Sequence, residues 1–169
     1  MVLMSARITW TTVEAQIQML EHQLEGLEDD EEFINLTKYI SSVAGIGKKT
    51  AEAILIVTND LQTFDTAGQL ACFLGLTPKS HHSGPSVHRK GRISKHGPHY
   101  IRCLLYMCTR SAIRYNLACK TLYERLRKKG KPYKVAVIAV MHKLVKQLFA
   151  CAKKQTLFDN QYKQSITQV

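Results

Sequence analysis

Ala44-Gly45-Ile46-Gly47-Lys48-Lys49-Thr50-Ala51 is the stretch from which the fold can be read. Before it, Phe33, Leu36, Ile40 and Val43 recur at three- and four-residue intervals, the period of one face of an α-helix. After it, Ala53, Ile54 and Leu55 continue as a second helix. The two glycines let the backbone turn tightly, and the side chain of Ile46 is expected to pin the turn into the core. A phosphate-binding P-loop is excluded, because G-x-x-x-x-G-K-[ST] is absent and no strand precedes the glycines.

An apolar residue between two glycines, with a small residue four positions after the second, resembles a helix-hairpin-helix. In that geometry the amides of Gly45 and Gly47, with those of Lys48 and Lys49 at the start of the second helix, can bind a phosphate oxygen. These four residues are the first predicted contacts to DNA.

Charge points the same way. The formal net charge is +11, and it is unevenly spread. Residues 1–65 hold four Lys/Arg against eleven Asp/Glu, whereas residues 66–169 hold twenty against two, Glu124 and Asp159. A back half so basic steers association with a polyanion. The longest unbroken apolar run, Val135 to Met141, is far below the roughly 20 residues of a membrane span, so no membrane partner is expected. Cys72, Cys103, Cys108, Cys119 and Cys151 are odd in number and widely spaced, which predicts reduced thiols in a cytoplasmic protein, and a DNA partner would make it nucleoid-associated. No C-x-x-C or H-x-x-x-H pair exists to nucleate a zinc site, and no metal ligand is assigned.

On the N-terminal side, Val13, Ile17, Leu20, Leu24 and Leu27 form an a/d seam of about two heptads over Thr12 to Leu27, which predicts a coiled-coil-like helix and self-association into a homo-oligomer. The five acids Glu28 to Glu32 then repel one another and mark a linker or a frayed helix end.

On the C-terminal side, Asp60 to Phe64 reads as a turn. Thr66-Ala67-Gly68-Gln69 has the spacing of a capping box, opening a short helix through Leu74 that Gly75 closes. Gly97-Pro98 precedes a helix with Pro98 at its first position, an apolar set of Ile101, Leu104, Leu105, Cys108 and Ala112, and a second stripe of Arg102, Tyr106, Arg110 and Arg114. The arginines suit a sugar-phosphate backbone, and Arg102 and Arg110 are added to the predicted DNA contacts. Leu117 to Lys129 is a further helix stopped by Gly130. Pro132 to Lys154 is the longest, with Val135, Ile138, Val145 and Phe149 as its buried stripe and Lys143, Lys146, Gln147 and Lys154 outside. The fold class is therefore all-α, in three parts: a helix and acidic linker over 1–32, a domain over 33–158 with its hairpin at 36–58 and a basic loop at 79–97, and a polar tail at 159–169.

The loop runs His81-His82-Ser83-Gly84-Pro85-Ser86-Val87-His88-Arg89-Lys90-Gly91-Arg92-Ile93-Ser94-Lys95. Its breakers exclude an element interior and predict an exposed loop. Four cations within seven residues, Arg89, Lys90, Arg92 and Lys95, with no carboxylate, could surround a phosphate, and two hydroxyls, Ser83 and Ser86, lie near the start of the loop.

An acidic coiled helix, then Ser42-Val43-Ala44-Gly45-Ile46-Gly47-Lys48-Lys49-Thr50-Ala51, then Gly75-Leu76-Thr77-Pro78, Ser83-Gly84-x-Ser86-Val87, Gly91-Arg92-Ile93-Ser94-Lys95-x-Gly97 and an Arg-rich helix together resemble the C-terminal domain of the DEDD-type insertion-sequence transposases. That family includes DNA invertases and recombinases guided by a bridge RNA, and the resemblance covers about residues 12–158. It implies DNA transposition or site-specific recombination, DNA as partner, a possible guide RNA, and a serine nucleophile at the first serine of Ser-Gly-x-Ser-Val, which is Ser83. It also implies a divalent metal, Mg²⁺, held by the carboxylates of an N-terminal RuvC-like domain. No such domain precedes Trp10 in this sequence, which reads as a truncated product or isolated C-terminal half. Pro85 and His88-Arg89 depart from the family's flexible residue and Arg-Gly, and are expected to stiffen the loop.

Two other functions fit the residues less completely. A non-catalytic helix-hairpin-helix DNA-binding fragment would have no use for the Ser-Gly-x-Ser loop, and a structural dimeriser that binds RNA would carry a readable RNA-recognition motif.

Overall fold

A computed structural model describes residues 2–27, 31–79, 82–83, 87–88 and 92–161. Among these the element order is α1 (Val2–Leu27), α2 (Glu31–Ser41), α3 (Lys48–Thr58), α4 (Ala67–Phe73), β1 (Pro78–Lys79), β2 (His82–Ser83), β3 (Val87–His88), β4 (Arg92–Ile93), α5 (His99–Tyr115), α6 (Leu117–Lys128) and α7 (Tyr133–Lys154). The class is all-α, as the sequence predicts. The strands are two-residue ladders inside the basic segment.

The chain divides into two compact units, residues 1–35 and 36–169. In the first, α1 begins ten residues earlier than the seam at Thr12 suggests. Every side chain described on it is exposed, including Val13, Ile17 and Leu20 of the seam. Leu24 and Leu27 of that seam lie outside the described side chains. Of the five acids, Glu31 and Glu32 form the first turn of α2, where carboxylates favour the positive end of the helix dipole.

In the second unit α7 is the central helix. It packs against α4, α5 and α6, while α3 packs on α5. Three neighbours demand a wide apolar face, so Ala136, Val137, Val140, Met141, Leu144, Val145, Leu148 and Phe149 are all buried. The narrower stripe expected from the sequence is corrected here: Val135 is 52% exposed and Ile138 half-buried. With a mean hydropathy of 1.6, α7 is long and apolar enough to cross a bilayer, but its apolar side chains are engaged in this core.

Local signals set the helix ends. Thr66 and Gln69 make both halves of the capping box. Asn116 caps α6 by accepting from the Cys119 amide at 3.2 Å, and its Nδ2 donates to Gln147 Oε1 at 3.0 Å. Pro98 sits one position earlier than expected, at the cap of α5. The start of the polar tail is held: Leu117 N donates to Asn160 Oδ1 at 3.0 Å, and Asn160 Nδ2 donates to the Tyr115 carbonyl at 3.1 Å.

Candidate nucleic-acid interface

The turn between α2 and α3 is built on Gly45. Its φ of +110° is a conformation that side chains rarely adopt, and a Cβ there would lie 2.7 Å from Ala112 on α5. Gly47 is different: its φ of −93° is ordinary and nothing lies within 4 Å of its missing Cβ. The tight turn therefore requires glycine at 45 and not at 47. Ile46 is buried, as expected. On the other side of the turn, Cys108 Sγ donates to Thr50 Oγ1 at 3.5 Å, so the hairpin rests on the Cys108 and Ala112 face of α5.

Gly47 caps α3 without a side-chain hydrogen bond. Its carbonyl accepts from the Thr50 and Ala51 amides at 3.0 Å, so the first turn of α3 starts directly at the glycine. Both lysine side chains are exposed, and Lys48 Nζ lies 3.4 Å from Glu52 Oε1. A helix N-terminus that carries two lysines suits an anion, because the helix dipole is positive there.

The basic segment doubles back once, with one ladder nested inside the other. Pro78 and Lys79 pair with Ile93 and Arg92, and His82 and Ser83 pair with His88 and Val87. β-branched Val87 and Ile93 suit extended backbone. Ser83 is described by its backbone alone, while Ser86, Arg89 and Lys90 lie outside the described residues. Arg92 and Lys95 are exposed, and Lys95 has a left-handed φ of 56°.

At its base the segment is clamped. Ser94 N donates to Thr77 O at 2.9 Å and Lys95 N to Gly75 O at 3.1 Å. Gly75 and Gly97 allow the two strands of chain to cross in backbone contact. A Cβ at Gly97 would overlap the Phe73 carbonyl, and one at Gly75 the His96 carbonyl. Arg102, predicted as a DNA contact, is half-buried here, its Nη1 donating to Gly97 O at 2.8 Å and Leu74 O at 3.4 Å. Arg110 is exposed on another side of α5.

The structure thus joins Gly45, Gly47, Lys48 and Lys49 in one turn, and Arg92, Lys95 and Arg102 around the base of the loop. What the sequence did not reveal is the Gly75 and Gly97 crossing, since neither glycine signals its distant neighbour. Among the described residues no three His, Cys, Asp or Glu come together to hold a metal, so the divalent ion implied by the resemblance has no fit among them.

Residues 37–124 match the model of the Transposase IS116/IS110/IS902 family. The chain is 34% identical to the pilin gene-inverting protein of Moraxella lacunata over 85% of its own length and 45% of the relative's. It is 32% identical to a probable family 20 transposase of Pseudomonas aeruginosa over 87% of its length and 43% of that protein's. A 43.6 kDa insertion element IS110 protein of Streptomyces coelicolor is 27% identical over 89% of this chain and 36% of its own. The chain spans less than half the length of these relatives.

Proposed function

Since the chain belongs to the IS116/IS110/IS902 transposase family, we propose that it supplies the DNA-binding part of a DNA transposition or recombination reaction, with Ser83 as nucleophile. The observation that carries this reading is the doubled-back backbone: Ser83 pairs with Val87 across a three-residue connection, just beyond the ladder that ends in exposed Arg92. The exposed Arg92 and Lys95 would supply positive charge to a phosphate brought to this hairpin.

In the proposed step Ser83 Oγ attacks the phosphorus of a DNA phosphodiester. A phosphoserine bond forms, the bond from phosphorus to the deoxyribose oxygen breaks, and that oxygen takes up a proton. The serine proton passes to a neighbouring base, for which His81 and His82 are the candidates in the loop. Arg89, Lys90, Arg92 and Lys95 offset the charge that grows on the phosphoryl oxygens. The phosphoserine ester conserves the bond, so a second deoxyribose hydroxyl can reverse the step and rejoin strands. Mg²⁺ on the carboxylates of a RuvC-like domain would assist by polarising the phosphate.

The hairpin would hold the duplex through the Lys48 and Lys49 amides and side chains as a helix-hairpin-helix. The test combines the chain with a RuvC-like domain, Mg²⁺, DNA and a guide RNA. Wild type is expected to give a covalent protein–DNA adduct, mapped by mass spectrometry to Ser83, and Ser83→Ala to give none while keeping its DNA affinity. An adduct on Ser86, or strand exchange by Ser83→Ala, rejects the assignment. Binding without any adduct favours the non-catalytic module.

A further inference from the structure

Between Leu117 and Lys134 there are seven Lys/Arg and one carboxylate, Glu124. Arg125, Lys128, Lys129, Lys131 and Lys134 are all exposed. Like charges at this density repel one another and weaken the fold, and a polyanion removes that repulsion.

These cations stand on a fixed turn. Gly130 takes a φ of +70°, Lys131 N donates to Leu126 O at 3.1 Å and Gly130 N to Arg127 O at 3.0 Å, which closes α6. Arg127 Nη1 then donates to the Lys131 carbonyl at 2.8 Å, and Pro132 leads directly into α7.

Tyrosines continue the surface onto α5. Tyr133, 42% exposed, meets Tyr123 edge-on with ring centroids 6.3 Å apart. A hydrogen bond with the Tyr133 hydroxyl raises the Tyr106 pKa, and the neighbouring Arg110 cation acts on it in the opposite sense. Arg110 is two residues from both Cys108 and Ala112, roughly 200° round the helix from the face that carries the hairpin. The turn and the hairpin therefore occupy different sides of α5.

We infer that the α6–α7 turn, together with Arg110 and the Tyr106–Tyr133 pair, is a second DNA-contacting surface that seats the phosphates of a duplex away from the hairpin. This rests on the DNA-acting reading above. The cations neutralise phosphates and the exposed Tyr133 hydroxyl can donate to their oxygens, without reading bases. A chain with two such faces can hold DNA on both sides of α5.

The test is binding of the full chain to a mixed-sequence DNA duplex across a range of salt, with an RNA duplex in parallel. Lys128→Ala/Lys129→Ala/Lys131→Ala is expected to lower the slope of log K against log salt by roughly 2–3 and to weaken low-salt binding about tenfold or more, with an unchanged urea midpoint. Lys→Arg at the same three positions should restore the slope, which separates charge from any damage to the turn. Lys48→Ala/Lys49→Ala should weaken binding independently, and the combined variant more than either. If wild type binds and the hairpin variant is weakened while the turn variant binds as wild type, this inference falls alone. A deficit confined to the RNA duplex also overturns it. A wild-type chain with no affinity for DNA overturns the DNA-acting reading and this inference together.

Discussion

Gly97 and Phe73 meet backbone to backbone: a single methyl at position 97 would overlap the Phe73 carbonyl oxygen, and the φ of +116° at Gly97 disfavours any side chain there. The crossing lies at the foot of the segment that carries Ser83. Gly97→Ala is expected to destabilise the chain by about 3 kcal/mol or more, combining overpacking with left-handed strain. Gly47→Ala is the contrast, at an ordinary φ of −93° with empty space around it, and should change stability by less than about 1 kcal/mol. Urea denaturation of both variants checks this. Equal midpoints would mean that the crossing is loose.

The helices were legible in the sequence because their causes are local. A 3.6-residue period, the Thr66–Gln69 capping box and the stop at Gly130 each act within a few residues. The crossing was not legible, since Gly75 and Gly97 read as ordinary turn residues until His96 and Phe73 are seen beside them. The extra width of the α7 face has the same origin, because only the packing tells how many neighbours a helix has. Of the site, the hairpin came from residue pattern, whereas the choice of Ser83 over Ser86 came from family resemblance alone.

The cysteines give a second prediction. Burial pushes the Cys119 thiol up to about 11 from an ordinary 9.0, only partly offset by Lys143, and burial also raises Cys151. A raised folded pKa means that the unfolded chain ionises first. Stability contributed at Cys119 is full below pH 9 and is lost as pH rises from about 9 to about 11. Thiol labelling at pH 8 should modify exposed Cys72 and Cys103 in the native chain, and Cys108, Cys119 and Cys151 only after denaturation. In Cys119→Ala the alkaline decline in stability should be shallower. Rapid native labelling of Cys119 would contradict the burial.

The seam on α1 predicts self-association. Val13, Ile17 and Leu20 are 51%, 49% and 57% exposed, an apolar a/d row that a second copy of the chain would cover. Sedimentation should give a dimer or larger species from the 19.2 kDa chain, and Val13→Asp/Ile17→Asp should return the monomer. A monomeric wild type rejects the seam as an interface.

Arg102 and Arg92 separate holding the loop from holding DNA. Both were predicted as DNA contacts, yet Arg102 Nη1 donates to Gly97 O at 2.8 Å and Leu74 O at 3.4 Å, bridging the two backbone segments that cross below the loop. Arg92 is exposed on the ladder opposite Lys79. Arg102→Ala leaves the two carbonyls without their charged donor and should cost about 1–3 kcal/mol of stability. Arg102→Lys is the discriminating variant, since an ammonium keeps the charge but not the planar fork that reaches both carbonyls. If Arg102 works as a clamp, the lysine variant will be destabilised nearly as much as the alanine variant, with an unchanged salt slope for DNA binding. Arg92→Ala should show the reverse, a slope reduced by about 0.9 with stability intact. An Arg102→Lys chain with wild-type stability, alongside an Arg102→Ala chain with a reduced salt slope, would assign Arg102 to the phosphates instead.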